Sequence, residues 1–484
     1  MRLQVLALAA AFAGTALVPA AAGAVPPDQG AVPASTLAGE PAAGPIIQMF
    51  QWPWDSLATE CTNSLGPAGF GAVQVSPPQE HVVLKDKGYP WYQDYQPVSY
   101  GLDSRRGNAE QFAAMIRTCK EAGVEVYVDA VVNHMSGTGS VGSGPGSGGT
   151  QYEKYGYPGL YEDADFHGCR RDIQNYNDKE EVRNCELVGL ADLATDTEKV
   201  RQTERAYLQG LIDLGVSGFR VDGVKHMSPE DMQAIFGGLS GNPYVFQEVI
   251  ADGTTTESEY VGSGDVTVFP YYNKVAGAFK GGSLAQLANL PNEMPLPSDQ
   301  AVVFIDNHDT QRSSPTLTYK DEARYDLAVG FELAYPYGKP QLISSFAFSN
   351  PDAGPPAGAD GMTSPASCDD QAWVCEHRHP VINGLAQFHK AVAGTGLTDW
   401  WDNGNGQIAF GRGEAGFAVF NAEGGELTQA FQSSLPAGSY CNVAAGAFVG
   451  GKCAGETVEV AANGTFTATV PADGALALHA GAKL

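Results

Sequence analysis

The run Val124-Glu125-Val126-Tyr127-Val128-Asp129-Ala130-Val131-Val132 constrains the fold more than any other stretch. It is nearly continuous in apolar and β-branched residues, the signature of a strand buried on both faces of a parallel sheet. A helix precedes it. Asn108 can cap that helix, Phe112, Met115, Ile116 and Cys119 fall at i, i+3, i+4 and i+7, and Gly123 ends it. The run leads straight into Asn133-His134, so polar groups stand at the C-terminal end of a buried strand.

The rhythm recurs along the chain. Residues 46–50 and 70–75 read as the first two strands, with a helix over 54–65 between them. Residues 197–214 are amphipathic through Val200, Tyr207, Leu208, Leu211 and Ile212, and Gly215 stops them. Next comes a short strand that runs into a polar loop, Gly218-Phe219-Arg220-Val221-Asp222-Gly223-Val224-Lys225-His226. Ser228-Pro229-Glu230-Asp231 opens another helix, with Pro at its first position. Residues 244–250 form a strand carrying Glu248, and residues 301–309 end in Asp306-Asn307-His308-Asp309. This alternation fits a doubly wound sheet or a (β/α)₈ barrel. Polar groups at the C-terminal ends of several separate strands favour the barrel, over residues 45–133 and 194–411.

Between 134 and 193 the rhythm breaks into a Gly/Ser tract, tyrosines, acids and two cysteines, which predicts a small irregular domain inserted after strand 3. Residues 412–484 change to short strands with frequent turns, an all-β C-terminal sandwich. Eight cysteines allow four disulfides. Cys169 with Cys185, Cys368 with Cys375, and Cys441 with Cys453 make sequence-local pairs, while Cys61 with Cys119 would tie two separate elements.

Residues 1–24 read as a secretory signal, with Arg2, an apolar run and Ala22-Gly23-Ala24 as the cleavage site. Residues 25–44 are Ala/Pro/Gly-rich and are expected to be disordered. No other stretch suits a membrane span, so the expected protein is exported and soluble, with a monomer as the default. Its net charge of −27 excludes a nucleic-acid partner, which needs a basic surface.

Three carboxylates, Asp222, Glu248 and Asp309, stand at strand ends with polar neighbours. Glycosidic cleavage needs one carboxylic acid to protonate the leaving oxygen and one carboxylate to meet the oxocarbenium-like carbon. Arg220, on the same strand face as Asp222, would keep that aspartate ionised, whereas Val245, Phe246, Val249 and Ile250 would desolvate Glu248 and raise its pKa. Trp91-Tyr92-Gln93-Asp94-Tyr95-Gln96-Pro97 groups aromatics with amides, as a sugar cleft requires.

Four segments resemble the signatures of the α-amylase family of glycoside hydrolases: Asp129 to His134, Gly218 to His226, Phe246-Gln247-Glu248-Val249, and Phe304 to Asp309. The animal-type and actinobacterial branch is the most similar. The resemblance implies Asp222 as nucleophile, Glu248 as general acid/base and Asp309 as the group that binds sugar hydroxyls and stabilises the transition state. It implies substrate contacts by Trp91, Tyr92, Tyr95, Gln96, His134, Arg220, Lys225, His226 and His308. It also implies a structural Ca²⁺ held by Asn133, Asp192, His226 and the backbone carbonyl of Arg183. Gln341 stands where chloride-activated relatives carry a basic anion ligand, so chloride-independent activity is expected. The implied function is secreted endo-hydrolysis of α-1,4-glucans such as starch. An exo-acting, maltose-forming or transglycosylating relative and a non-catalytic glucan-binding relative are the alternatives.

Overall fold

The computed structural model describes residues 39–137, 142–313 and 315–484. Eight parallel strands close into a barrel: β1 (Ile46–Met49), β2 (Ala72–Val75), β3 (Glu125–Ala130), β4 (Gly218–Val221), β5 (Tyr244–Gln247), β6 (Asp265–Thr267), β7 (Ala301–Val303) and β8 (Lys339–Ser344). Each strand pairs with its neighbours in sequence, and β8 closes on β1. α-Helices follow the strands, except that β5 and β6 are joined by a loop carrying only a 3₁₀ turn, Glu257–Glu259. The caps act as the sequence indicates. Asn108 accepts from the Gln111 N–H at the start of Ala109–Glu121, and Ser228 accepts from the Asp231 N–H at the start of Pro229–Phe236.

The barrel interior is layered. Ile46, Ala72, Tyr127, Tyr244, Phe246 and Val302 form an apolar cluster of their own. Two residues along, on the same faces, Gln48, Gln74, Asp129 and Arg220 replace them with buried polar groups. Register pairs Gln48 with Gln74 and Arg220 with Asp129. The apolar layer closes one end of the barrel, and the polar layer floors the other.

The expected leader and residues 25–38 lie outside the described residues. Residues 39–44, expected to be disordered, are instead anchored. The Gly39 N–H donates to the Pro243 carbonyl, and the Ala42 N–H donates to the Tyr127 hydroxyl at 2.8 Å. Backbones approach so closely here that a Cβ on Gly71 would meet the Ala43 carbonyl oxygen at 2.6 Å.

The excursion after β3 leaves and returns through an antiparallel pair, His134–Gly137 with Leu190–Asp192. Its apolar cluster (Met135, Tyr152, Tyr157, Tyr161, Phe166 and Leu193) also takes in Val82, Leu84 and Val98 from the loop after β2, which fixes it over the barrel mouth. A 398–411 segment grouped with the barrel on sequence needs correction. Thr398–Asp402 and Gln407–Gly411 pair with Gly416–Asn421 and Gly474–His479 in one four-stranded sheet, so the C-terminal β domain begins at Thr398. The last barrel helix, Pro380–Ala391, ends just before it. The three sequence-local disulfides form, and Cys61–Cys119 ties the helical regions after β1 and before β3.

Candidate active site

Arg220 organises the mouth of the barrel. Phe219 packs outward against Phe236, with ring centroids 6.1 Å apart, so alternation along β4 turns Arg220 inward. Its Nη1 donates to Asp129 Oδ1 at 2.7 Å and to Asp222 Oδ1 at 2.6 Å, and its Nη2 pairs with Glu248 Oε1 at 2.9 Å. One guanidinium therefore bridges three carboxyl groups. Burial alone would lower its pKa, but Asp129, Glu248 and Asp222 raise it well above its ordinary value.

Glu248 lies just past the end of β5, which stops at Gln247 rather than running to residue 250. Its backbone is held by the Val221 carbonyl and the Val224 N–H, at 2.9 and 3.0 Å. The Gly223 N–H donates to Glu248 Oε2 at 2.9 Å, from a turn whose φ of 58° suits glycine. Burial raises the Glu248 carboxyl above its ordinary range, opposed by Arg220 and reinforced by Asp222. The desolvating shell differs from the expected one in a single member. Val245, Phe246 and Val249 are buried, but Ile250 is 47% exposed on the cleft rim.

β7 ends at Val303, so residues 304–309 are a loop fixed by its own side chains. Asn307 Oδ1 accepts the N–H groups of Asp309 and Thr310 at 3.0 and 2.8 Å. His308 is stacked between Tyr95 (5.1 Å, 9°) and Phe50 (5.0 Å, 21°). Burial lowers its pKa well below the ordinary value, so the ring is neutral. With the Gln48 amide donating to Nδ1 at 3.0 Å, the proton sits on Nε2, which faces Asp309 Oδ2 at 3.3 Å. His134 is likewise buried, its Nε2 donating to the Tyr95 carbonyl at 3.0 Å.

Around this centre Trp91 meets Tyr92, Tyr95 and His308 edge-on at 5.9, 5.8 and 5.6 Å. Trp91 and Tyr92 are half-buried on the rim, whereas Tyr95 is buried and donates to Asp129 Oδ2 at 2.7 Å. Gln96 is turned to the insertion, where its Oε1 accepts the Gly137 N–H. Lys225 stands further out, bound to the Ile250 carbonyl and Asp252, over the Tyr176 ring. His226 points away from the carboxylates towards the Val182 carbonyl, at 3.0 Å.

Residues 67–238 match the family described as "Alpha amylase, catalytic domain", and residues 398–481 match "Alpha amylase, C-terminal all-beta domain". An alpha-amylase of Thermomonospora curvata is 55% identical over 444 residues, covering 90% of this chain and 73% of that protein. An alpha-amylase of Tribolium castaneum is 45% identical over 470 residues, covering 91% and 94%. The chain belongs to the α-amylase family. Wild-type alpha-amylase I from Eisenia fetida superposes with a TM-score of 0.86 at 38% identity, over 92% of this chain and 99% of that one. A mutant of the same enzyme was solved in complex with maltohexaose. The C-terminal match begins at the residue where the β domain begins.

Three groups of this α-amylase-family site escaped the sequence reading: Asp129, Gln48 and Gln74. Asp129 accepts from Arg220, Tyr95 and, at 3.3 Å, Gln74. Gln48 and Gln74 are each the lone polar residue of an apolar strand, and Asp129 is the buried acid in a strand whose other acid, Glu125, lies at its half-buried start; those patterns are the signal that could have found them.

The residues expected around calcium converge between barrel and insertion. Asn133 bonds His134, the Leu193 N–H donates to the Asn133 carbonyl, and His226 reaches the residue before Arg183. Asn133 Oδ1 is buried without a hydrogen-bond partner among the described residues, and Asp192 lends a carboxylate engaged by His167 Nδ1 at 2.7 Å. Among the described residues no three His, Cys, Asp or Glu side chains cluster as a metal site. The expected set contains one carboxylate, with amide and carbonyl oxygens supplying the rest. The orphaned Asn133 amide oxygen and the Asp192 carboxylate are hard donors of the kind calcium takes. Gln341 shares a small cavity with Arg220, Asn307 and Glu248, where its Nε2 donates to Gln74 Oε1.

Proposed function

We propose that this chain is a secreted α-amylase that hydrolyses internal α-1,4-glucosidic bonds of starch-like glucans with retention of anomeric configuration. The observation that carries the reading is the single guanidinium shared by Asp222 and Glu248. Retaining enzymes hold their two carboxyl groups roughly 5–5.5 Å apart, whereas inverting enzymes leave about 6.5–9.5 Å for a water. Gripping adjacent nitrogens of Arg220 favours the closer pair.

In this mechanism Asp222 attacks the anomeric carbon while Glu248, kept protonated by burial, gives its proton to the departing sugar oxygen. Glu248 then takes a proton from water as the covalent glycosyl-enzyme is hydrolysed. Asp309 and the neutral His308 receive the hydroxyls of the distorted sugar, His134 would join them by exchanging its bond to the Tyr95 carbonyl for a sugar hydroxyl, and Trp91 and Tyr92 stack on its neighbours. Asn133, Asp192 and the carbonyls of Arg183 and His226 would hold a structural Ca²⁺, whose chemistry is to cross-link insertion to barrel with oxygen ligands. Gln341 leaves the cavity beside Glu248 without a second cation, so turnover proceeds without chloride. The acidic, disulfide-bonded chain works outside the cell, as a monomer. No helix among the described residues is long and apolar enough to cross a membrane.

A proton NMR time course of soluble starch with the purified protein tests the proposal. Short oligosaccharides appearing first as α-anomers are expected. Unchanged starch, or β-anomers appearing first, would refute it.

A further inference from the structure

Arg312 lies three residues beyond Asp309, in the same turn. Its N–H donates to the Asp309 carbonyl at 3.0 Å, and its Nη1 donates to the His308 carbonyl at 2.8 Å. The guanidinium is buried, and Nε and Nη2 find no hydrogen-bond partner among the described residues. It sits instead in a box of rings, 4.3 Å from the centroid of Phe348, 5.0 Å from Phe50, 5.2 Å from Phe346 and 5.4 Å from Trp91. Burial pulls its pKa down only to about 10, and Asp309 is the strongest opposing influence, so it remains a cation at neutral pH. A buried cation with one side-chain hydrogen bond is expensive, and desolvated π faces recover only part of the cost.

The same rings belong to the site. Phe50 stacks on His308, and Trp91 meets His308 edge-on. Arg312 therefore grips the peptide between His308 and Asp309 and also underlies the rings that clamp His308. Its charge has a clear target. Burial raises the Asp309 carboxyl to about 8; Glu248 from the loop after β5 and Asp222 just past β4 reinforce this, Arg220 from β4 and then Arg312 oppose it, and His308 lies beside it. Arg220 already serves three carboxyl groups, whereas Arg312 forms no ion pair among the described residues.

We propose that Arg312 is a positioning residue: from its aromatic box it fixes the His308–Asp309 peptide and supplies a second cation, behind Arg220, that favours the ionised Asp309 carboxylate against the burial around it. The inference rests on the hydrolase reading, and wild-type turnover in the same assay tests that reading separately. The experiment is kcat and KM for a maltooligosaccharide, across pH, with wild type, Arg312→Met and Arg312→Lys. Methionine fills the box without charge. Its kcat should fall at least about tenfold with KM within about threefold, and the acidic limb of kcat/KM should move up by about one pH unit. Lysine should keep the wild-type limb while losing kcat, because it lacks the planar fork. A methionine variant with the wild-type limb overturns the proposal, since a purely structural role would lower activity without moving that limb. If the methionine variant does not fold, Arg312→Gln, which keeps hydrogen-bonding groups without the charge, decides: a limb moved up relative to the lysine variant supports the proposal, and a limb shared by the two overturns it.

Discussion

Replacing Glu248 by glutamine separates proton transfer from everything else the residue does. Two donors converge on the carboxylate, Arg220 Nη2 and the Gly223 N–H, each at 2.9 Å. An amide has one oxygen, so its NH₂ group must face one of those donors, a mismatch that costs about 1–3 kcal/mol. The protonated acid and the amide are both neutral, so the charge balance around Arg220 is unchanged and the fold should survive. The chemical loss is larger. General acid catalysis contributes roughly 10²–10⁴-fold, or about 3–5 kcal/mol of barrier. That help matters for starch, whose leaving group is a poor sugar alkoxide, and hardly at all for a dinitrophenyl maltooligoside, whose phenolate departs unaided. Steady-state rates on starch should fall by about 10²–10⁴-fold, while the aryl substrate should give a burst of dinitrophenol followed by slow turnover. Equal losses on both substrates, or a loss on starch below about tenfold, would refute the assignment of Glu248 as the acid.

Asp222→Asn should abolish turnover on both substrates while leaving the circular dichroism spectrum unchanged, and activity within about tenfold of wild type would remove Asp222 as the nucleophile. A chelator should lower the melting temperature of the wild type but not of Asn133→Ala, and a wild type indifferent to chelation would exclude the calcium proposal. Adding chloride to chloride-free enzyme should change kcat less than about twofold, and a several-fold rise would contradict the reading of Gln341. Burial lifts the Asp306 carboxyl to about 8 despite hydrogen bonds from Gln311 and Tyr325. The folded chain thus keeps a proton that the unfolded chain releases near pH 4, and this stabilisation is complete below about pH 4 and is lost as pH rises towards 8. The melting temperature should fall across that window, and Asp306→Asn should flatten the fall; an unchanged slope would refute the assignment.

The barrel was legible because its strands read as apolar runs with polar groups at their ends, as at Val132-Asn133, Val221-Asp222 and Asp306 to Asp309. Boundaries were less legible, for physical reasons. Residues 248–250 continue the apolar composition of β5, yet the chain turns at Glu248 because its backbone and side chain are taken up by Val221, Gly223 and Val224. Thr398–Asp402 shows no strand-like alternation, since a bulge between Thr398 and Trp401 breaks its register. Residues 39–44 lack periodicity but are held by main-chain and tyrosine hydrogen bonds that composition does not disclose. Within the site, residue types gave the three carboxylates. They did not give the sharing of Arg220, because that depends on register between β3 and β4.

On the proposed roles, that sharing accounts for how one cluster supplies both a nucleophile and an acid. Asp129, Asp222, Glu248 and Asp309 surround a single Arg220, and Arg312 is screened behind its rings. Four ionised carboxylates against so little positive charge, largely withdrawn from water, would repel one another strongly. The cluster must therefore retain protons, and burial raises Asp129, Glu248 and Asp309 together. Asp222 is distinguished by geometry: its Oδ1 takes a 2.6 Å bond from Nη1, and its side chain is 14% exposed at the cleft, against 0% for Asp129. A carboxylate so paired and open to substrate is suited to attack. Glu248 is held by Nη2 and the Gly223 N–H, in the shell of Val249 and Phe246, and in the proposed mechanism it is the group that gives its proton to the departing sugar. The two roles then follow from where one guanidinium places its two ends.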